Sequence, residues 1–356
     1  MEALEWYRLE LVKIKDRTFK LLLENFNEYK DIFKMDKIRL KEMYNLDFEE
    51  VEKIYNSQDL NLEEELKKLE SKGISLLFIR DEAYPEELKN IAKPPIFLYY
   101  RGNLKYLKGK KIAVVGTRRP TSYGKIACEK IVRGLVENKI VTVSGLASGI
   151  DSVCHKKTLE FEGKTVAVVG SGLDIVYPRE NERLWREIGE KGLLISEYPL
   201  GTEPFAYNFP ARNRIIVGLS QGVTVVESKS KGGSLITAEL ALEEGREVFA
   251  IPGEIFSPVS EGCNNLIKNS SAKLITSVED ILEEFGWKKI NIQEKIKLNL
   301  TDYEKKIYNI LEREKNLDEL IMESGMKAGE ILSILMDLEV KKVVLSVSGG
   351  KYRRKF

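Results

Sequence analysis

From Lys111 onward the chain alternates short runs of Val, Ile and Ala with longer helix-period stretches, and this alternation limits the fold more than any other feature. The runs are KIAVVG, VTVSG, TVAVVG, LLISEYP, GVTVVES, EVFAIPG and AKLIT. Strands that are apolar at nearly every residue must be covered on both faces, and the intervening segments, such as 124–138 and 234–244, are long enough to be crossover helices. The pattern predicts an α/β, doubly wound, Rossmann-like domain with a parallel sheet over residues 109 to about 287.

The flanks have different grammar. Residues 1–72 carry helix-period apolar positions (Phe19, Leu22, Leu23, Phe26; Val51, Ile54, Tyr55) with few glycines and no proline, which predicts a small helical domain. Two apolar runs at 74–79 and 96–100, separated by Tyr84-Pro85 and Lys93-Pro94-Pro95, read as strands of an adaptor, so the extended central domain is 73–287. Residues 288–300 read as a linker. Within 301–356, Thr301 caps a helix with apolar face Tyr303, Ile307, Ile310 and Leu311, and helices at 317–323 and 328–338 flank Gly325. A final 343–347 strand and the Ser348-Gly349-Gly350 turn would form the wing of a winged helix.

Composition then removes several function classes. With 57 Lys+Arg against 56 Asp+Glu the net charge is +1, so any polyanion site has to be a local patch. The single histidine, His155, excludes a His-cluster metal site and reads as a structural residue. Cys128, Cys154 and Cys263 form no CxxC pair and read as reduced thiols. No run reaches the roughly 18 apolar residues of a membrane span, and the N-terminus lacks a signal-peptide core. The expectation is a cytoplasmic protein without a membrane partner, a metal or a cofactor.

In open parallel sheets ligands bind beyond the carboxyl ends of the strands, and the unusual residues of this chain gather in those loops. The first, 116–124, offers Gly116, Thr117, Arg118, Arg119, Ser122 and Gly124: close backbone approach, hydroxyls and two guanidinium groups, in kind an anion-binding loop. It is neither GxGxxG nor GxxxxGK[ST], so no dinucleotide fingerprint or P-loop is supported. The second loop, SGLASGID, supplies Gly145 and Ser148, with Asp151 either a helix cap or an acid. The third, 170–174, is built of small residues. Segment 205–216 places Arg212, Asn213 and Arg214 at a helix start beside Phe209, a combination suited to phosphates and stacked bases. Finally Lys229, Lys231, Gly232, Gly233, Ser234 and Thr237 open another helix. Arginine, lysine, hydroxyl and backbone donors without an acid/base pair predict a site that holds phosphates and breaks nothing.

Six blocks in order, GTRRPTSYG, SGLASGID followed by His155, GSGLDIVYPREN, SEYPLGTEPFAYNFPARNRIIVGLS, ESKSKGGSLITAELALEEGREVFAIPG and GCNNLIKNSSAKLI, resemble the DNA processing protein DprA (Smf) family along the whole middle domain. The resemblance implies a DprA-type Rossmann-like domain, a helical N-terminal domain of the SAM-like or helix-hairpin-helix sort, and a C-terminal winged helix. It further implies a cytosolic, non-catalytic homodimer that binds and protects single-stranded DNA and loads the RecA recombinase onto it during DNA uptake, natural transformation and recombination. The family's basic pocket maps to Arg118 and the FPARNR block, with Lys229 and Lys231 as weaker members. Thr117 stands where the family usually has serine, and Cys154 where it usually has alanine. Segment 262–267 is the expected dimer surface. On this reading Arg118→Ala or Arg212→Ala weakens single-strand binding and leaves the fold intact.

Two other functions fit parts of the chain. KGGSLITAE is similar to the glutamate-terminated motif of nucleotide-monophosphate phosphoribohydrolases, with Glu239 as the acid. A duplex-DNA regulator would use the 327–338 helix, although Glu330 and Asp337 lie on it, and the basic ending Lys351, Arg353, Arg354 and Lys355.

Overall fold

The computed structural model describes residues 2–290, 300–341, 343–347 and 349–354. Most of the predicted linker 288–300, together with Ser348 and Lys355, lies outside the described residues. The chain forms two compact units, Met1–Ile290 and Asn291–Phe356.

In the first unit the strands are β1 (Ser75–Phe78), β2 (Phe97–Gly102), β3 (Lys111–Val115), β4 (Val141–Ser144), β5 (Thr165–Val169), β6 (Leu193–Ser196), β7 (Gly222–Val225), β8 (Glu247–Ala250) and β9 (Lys273–Leu274). They make one nine-stranded sheet in the order β1-β2-β6-β5-β4-β3-β7-β8-β9. All seven apolar runs after Lys110 became strands, and every pairing from β6 across to β9 is parallel. The parallel part of the sheet starts at β3, winds outward through β4, β5 and β6, then returns to β7 on the other side of β3. The topological switch point therefore lies between β3 and β7. The runs at 74–79 and 96–100 are not an adaptor: β1 and β2 continue the same sheet as its antiparallel edge.

The double covering follows from the strand sequences. On β3, Ala113 and Val115 face one core with α10 (Asn208–Leu219) and α11 (Gly233–Glu243), reached after the short α6 (Glu86–Lys89). Ile112 and Val114 face the other, with α7 (Ser122–Glu137), α8 (Ile150–Glu160) and α13 (Val278–Glu284). Two further helices are α9 (Glu182–Lys191) and α12 (Glu261–Lys268). Residues 1–72 fold as α1 (Glu2–Leu11), α2 (Asp16–Asn25), α3 (Lys37–Tyr44), α4 (Phe48–Asn56) and α5 (Leu62–Ser71). Asp36, Asp47 and Asn61 start the last three by accepting from backbone N–H groups three residues on. Trp6, Phe19, Leu22 and Ile54 are buried in one continuous core with Phe97, Tyr99, Ala167 and Leu194. The helical segment thus has no core separate from the sheet: it covers the β2, β6 and β5 end of one face.

The second unit contains α14 (Asp302–Ile310), β10 (Lys315–Asn316), α15 (Leu317–Ser324), α16 (Ala328–Val340), β11 (Val344–Val347) and β12 (Lys351–Arg354), with a three-stranded sheet ordered β10-β12-β11. This is the element order expected for a winged helix. Thr301 and Glu304 form a capping box, and Gly325, left-handed at φ 68°, ends α15. The core is Ile307, Leu311, Leu320, Ile331, Leu335 and Leu338. Tyr303 does not belong to it, being 68% exposed. The buried side chain of that first turn is Glu304, held by Lys341 at 2.7 Å.

Among the described residues no helix is long and apolar enough to cross a membrane, and no group of three His, Cys, Asp or Glu is arranged to hold a metal ion. The three cysteines are free and buried.

Candidate nucleic-acid interface

The loops that leave β3 and β7 meet at the switch point and are strapped to each other. The Thr117 N–H donates to the Glu227 carbonyl at 2.8 Å. Glu227, buried at the end of β7, accepts from the Thr121 N–H at 2.9 Å and the Thr121 hydroxyl at 2.5 Å. Gly124 serves this strap: a Cβ there would lie 2.2 Å from a Glu227 carboxylate oxygen. The N-terminus of α8 braces the same loop, with the Ile150 N–H donating to the Thr117 carbonyl at 3.1 Å.

Between these loops and α10 lies a cavity of about 480 Å³. Its lining includes Gly116, Thr117 and Arg118 from the β3 loop, Phe209, Arg212 and Asn213 from α10, and Lys229, Lys231, Gly232, Gly233, Ser234 and Thr237 from the β7 loop and α11. Twelve of the residues expected from sequence therefore share one concavity, Arg118, Arg212 and Gly233 among them. Four cations face one lining carboxylate, Asp151. Arg118, Lys229 and Lys231 are exposed at the rim. The Arg118 guanidinium sits 5.7 Å from the centre of the Phe209 ring, and the Tyr177 ring centre lies 5.4 Å from that of Phe209. Gly232 caps α11 and has no side chain to accept from the first turn, so the positive end of that helix faces the cavity.

The inner wall differs from the expectation. Arg212 is only 4% exposed. Its Nη1 donates to the Gly145 carbonyl at 2.8 Å and to the Val168 carbonyl, and Nε donates to Asn213 Oδ1 at 3.2 Å. Asp151 lies beside it and accepts from the Gly145 N–H at 3.1 Å and the Ala147 N–H at 3.4 Å. A Cβ on Gly145 would meet the Arg212 guanidinium at 2.5 Å, so glycine is what lets arginine reach between the ends of β4 and β5. Burial drives the Arg212 pKa down to about 10, opposed by Asp151, and drives Asp151 up to about 6, opposed by Arg212. Both groups are charged at neutral pH. Removing Arg212 would take the guanidinium from two carbonyls and leave the buried Asp151 carboxylate without its counter-charge, so Arg212→Ala is expected to destabilise the fold and not, as the sequence suggested, to leave it intact.

Other expected residues lie elsewhere. Arg214 projects away from the cavity to Glu197, 2.5 Å away. Arg119 and Ser122 are exposed outside the lining, and Gly124 packs under Glu227. Gly145 and Ser148 line a small neighbouring cavity of about 30 Å³ behind Arg118 and Phe209, where the Ser148 hydroxyl donates to Glu180. The hydroxyls of Ser234 and Thr237 have protein partners, Ser228 Oγ at 2.9 Å and Asn213 Nδ2 at 3.0 Å, so they hold the wall together. His155 is fully buried against Thr165 Oγ1 at 2.7 Å, and burial pushes its pKa down to about 3, which keeps it neutral and structural. Gly262, in the segment read as a dimer surface, supports the β7 loop, its N–H donating to the Ser228 carbonyl at 2.8 Å. Sequence reasoning missed Tyr177 in GSGLDIVYPREN and the Glu227 strap. The signal for Glu227 was an acid directly after the buried, β-branched run Val223-Thr224-Val225-Val226.

The central segment, residues 75–286, matches the family DNA recombination-mediator protein A. The DNA processing protein DprA of Streptococcus pneumoniae is 48% identical over 235 residues, covering 66% of this chain and 81% of the relative. Protein Smf of Escherichia coli is 38% identical over 303 residues, covering 82% and 81%. The crystal structure of the S. pneumoniae protein superimposes with a TM-score of 0.70 at 40% identity, over 80% of this chain and 98% of that one. A Helicobacter pylori DNA processing protein A structure, described for its single-stranded DNA binding mode, gives 0.55 at 32% identity, over 60% and 95%. On the family match over residues 75–286 and these relatives, the chain belongs to the DNA recombination-mediator protein A (DprA/Smf) family.

Proposed function

We propose that the switch-point cavity binds single-stranded DNA, and that the protein acts in the cytoplasm as a non-catalytic homodimer. It would protect the strand and load the RecA recombinase onto it in DNA uptake and recombination. The observation that carries this reading is the convergence of Arg118, Lys229, Lys231 and the N-terminus of α11 on one concavity whose wall is the Phe209 and Tyr177 rings. Rim cations suit backbone phosphates and flat rings suit unpaired bases. The single-stranded DNA binding mode described for the H. pylori relative supports the same ligand. Since the chain carries a net charge of only +1, pairing two copies doubles the patch and raises avidity.

The two other readings have less support. Glu239, the acid a phosphoribohydrolase would need, is exposed on α11 and does not line the cavity. On α16 the exposed side chains Leu332, Met336 and Val340 recur every fourth residue beside Glu330 and Asp337, a face that does not suit phosphates. The test is competition between single-stranded and duplex DNA of equal length at two salt concentrations. Preference for the single strand at both supports the proposal; equal or tighter duplex binding refutes it.

A further inference from the structure

Just before α10, residues 203–208 make a tight turn fixed at both ends. The Phe205 N–H donates to the Glu203 carbonyl at 2.8 Å and the Asn208 N–H to the Phe205 carbonyl at 3.0 Å. Asn208 is buried, and its amide donates to the Gly170 carbonyl at 3.0 Å and the Glu203 carbonyl at 3.3 Å. Alternate residues diverge: Pro204 and Ala206 line the cavity, while Phe205 and Tyr207 turn outward and stack on each other. Their ring centres are 5.5 Å apart and their planes 5° from parallel. Phe205 is 48% and Tyr207 71% exposed. Two parallel aromatic rings held by a hydrogen-bonded turn, with outer faces left to solvent, do not serve this unit's core.

We propose that the Phe205–Tyr207 stack is a second nucleobase platform at the mouth of the cavity, taking the base of a nucleotide just outside the one held at Phe209. The inference rests on reading the cavity as a single-stranded DNA site. Continuity places it there, since Pro204 and Ala206 of the same turn belong to the cavity wall. Charge selects what is bound: the turn carries Glu203 and no cation, so a phosphate is disfavoured and an uncharged base face is not. Base stacking on an aromatic ring is tolerant of sequence because every base has a π-face. The platform therefore lengthens the site without narrowing its specificity.

The test uses the full chain and its variants Tyr207→Leu and Phe205→Leu/Tyr207→Leu, which keep an apolar side chain but cannot stack. Each is titrated with an oligonucleotide containing 2-aminopurine and with a fully abasic strand of the same length, and its melting temperature and oligomeric state are recorded. On the base-containing strand the double variant is expected to bind roughly tenfold more weakly, as for loss of one stacked base, with reduced 2-aminopurine quenching. On the abasic strand it should match the parent protein. Equal affinity of variant and parent for the base-containing strand overturns the platform while the single-strand reading stands. An equal loss on both strands, or a change confined to self-association, overturns it in favour of a structural or protein-contact role. If the parent protein binds neither strand, the single-strand reading itself fails and the platform with it.

Discussion

Arg118→Ala and Arg212→Ala are expected to fail in different ways, although both arginines line one cavity. Arg118 is exposed, and its resolved interaction is the one with Phe209, worth about 0.5–1 kcal/mol at an exposed site. Its removal should therefore shift the melting temperature by no more than about 2 °C. Its effect on DNA comes from one lost phosphate contact. Each neutralised phosphate of a single strand contributes about 0.7 to the slope of log K against log salt. If variant and parent converge near 1 M salt, the loss is about fivefold at 0.1 M and about fifteenfold at 0.02 M. Arg212 is buried between Gly145, Val168 and Asp151, and truncating one partner of a buried charge pair costs about 3–5 kcal/mol. Arg212→Ala should melt several degrees lower before any DNA is added. Fluorescence-anisotropy titrations at three or more salt concentrations, with thermal melts of the same preparations, read both quantities. An unchanged salt slope for Arg118→Ala, or a native melting temperature for Arg212→Ala, refutes the division of labour argued from burial.

Gly124→Ala forces a methyl group onto the Glu227 carboxylate, so it should destabilise by about 1–3 kcal/mol and loosen the strap at Thr121; a melting temperature equal to the parent's would contradict this. Asp151 has its pKa raised to about 6 by burial, so lowering the pH from 7 to 5 adds a proton and removes the one negative charge lining the cavity. A bound phosphate raises that pKa further, so affinity should increase as pH falls, by roughly three- to tenfold. Asp151→Asn should flatten the dependence, and affinity that is level or falling toward pH 5 in the parent excludes it. Deleting residues 288–356 should leave single-strand affinity within about twofold, because the cavity lies wholly in the first unit; a tenfold loss in the same titration would move DNA contacts to the second.

The sheet was legible because its strands are apolar on consecutive residues, as on β3, where Ile112 and Ala113 enter different cores. The rim of the site was legible for a related reason: Arg118 and Lys229 sit in loops, and Gly233 opens a helix, that a doubly wound topology must bring together at its switch point. What escaped was the direction of side chains on α10. Arg212 and Arg214 are two positions apart on a helix, hence about 200° apart around its axis, and one cannot share the other's ligand. Helical geometry alone separates them, with Arg212 going inward to Gly145 and Arg214 across to Glu197. The burial of Arg212 was not legible, since it depends on the absence of a side chain at Gly145, which is distant in sequence. The shared core of residues 1–72 and the sheet was hidden because an amphipathic helix shows that it needs cover without showing which surface provides it.

The central claim is that a single DNA strand lies across the switch point of the parallel sheet. Photo-crosslinking of a 5-iododeoxyuridine oligonucleotide to the full chain, followed by mass-spectrometric mapping, tests it most directly. The account predicts crosslinked peptides containing Tyr177 and Phe209, lost together when Arg118, Lys229 and Lys231 are replaced by alanine. Crosslinks confined to residues 300–354, or unchanged in the triple variant, would contradict it.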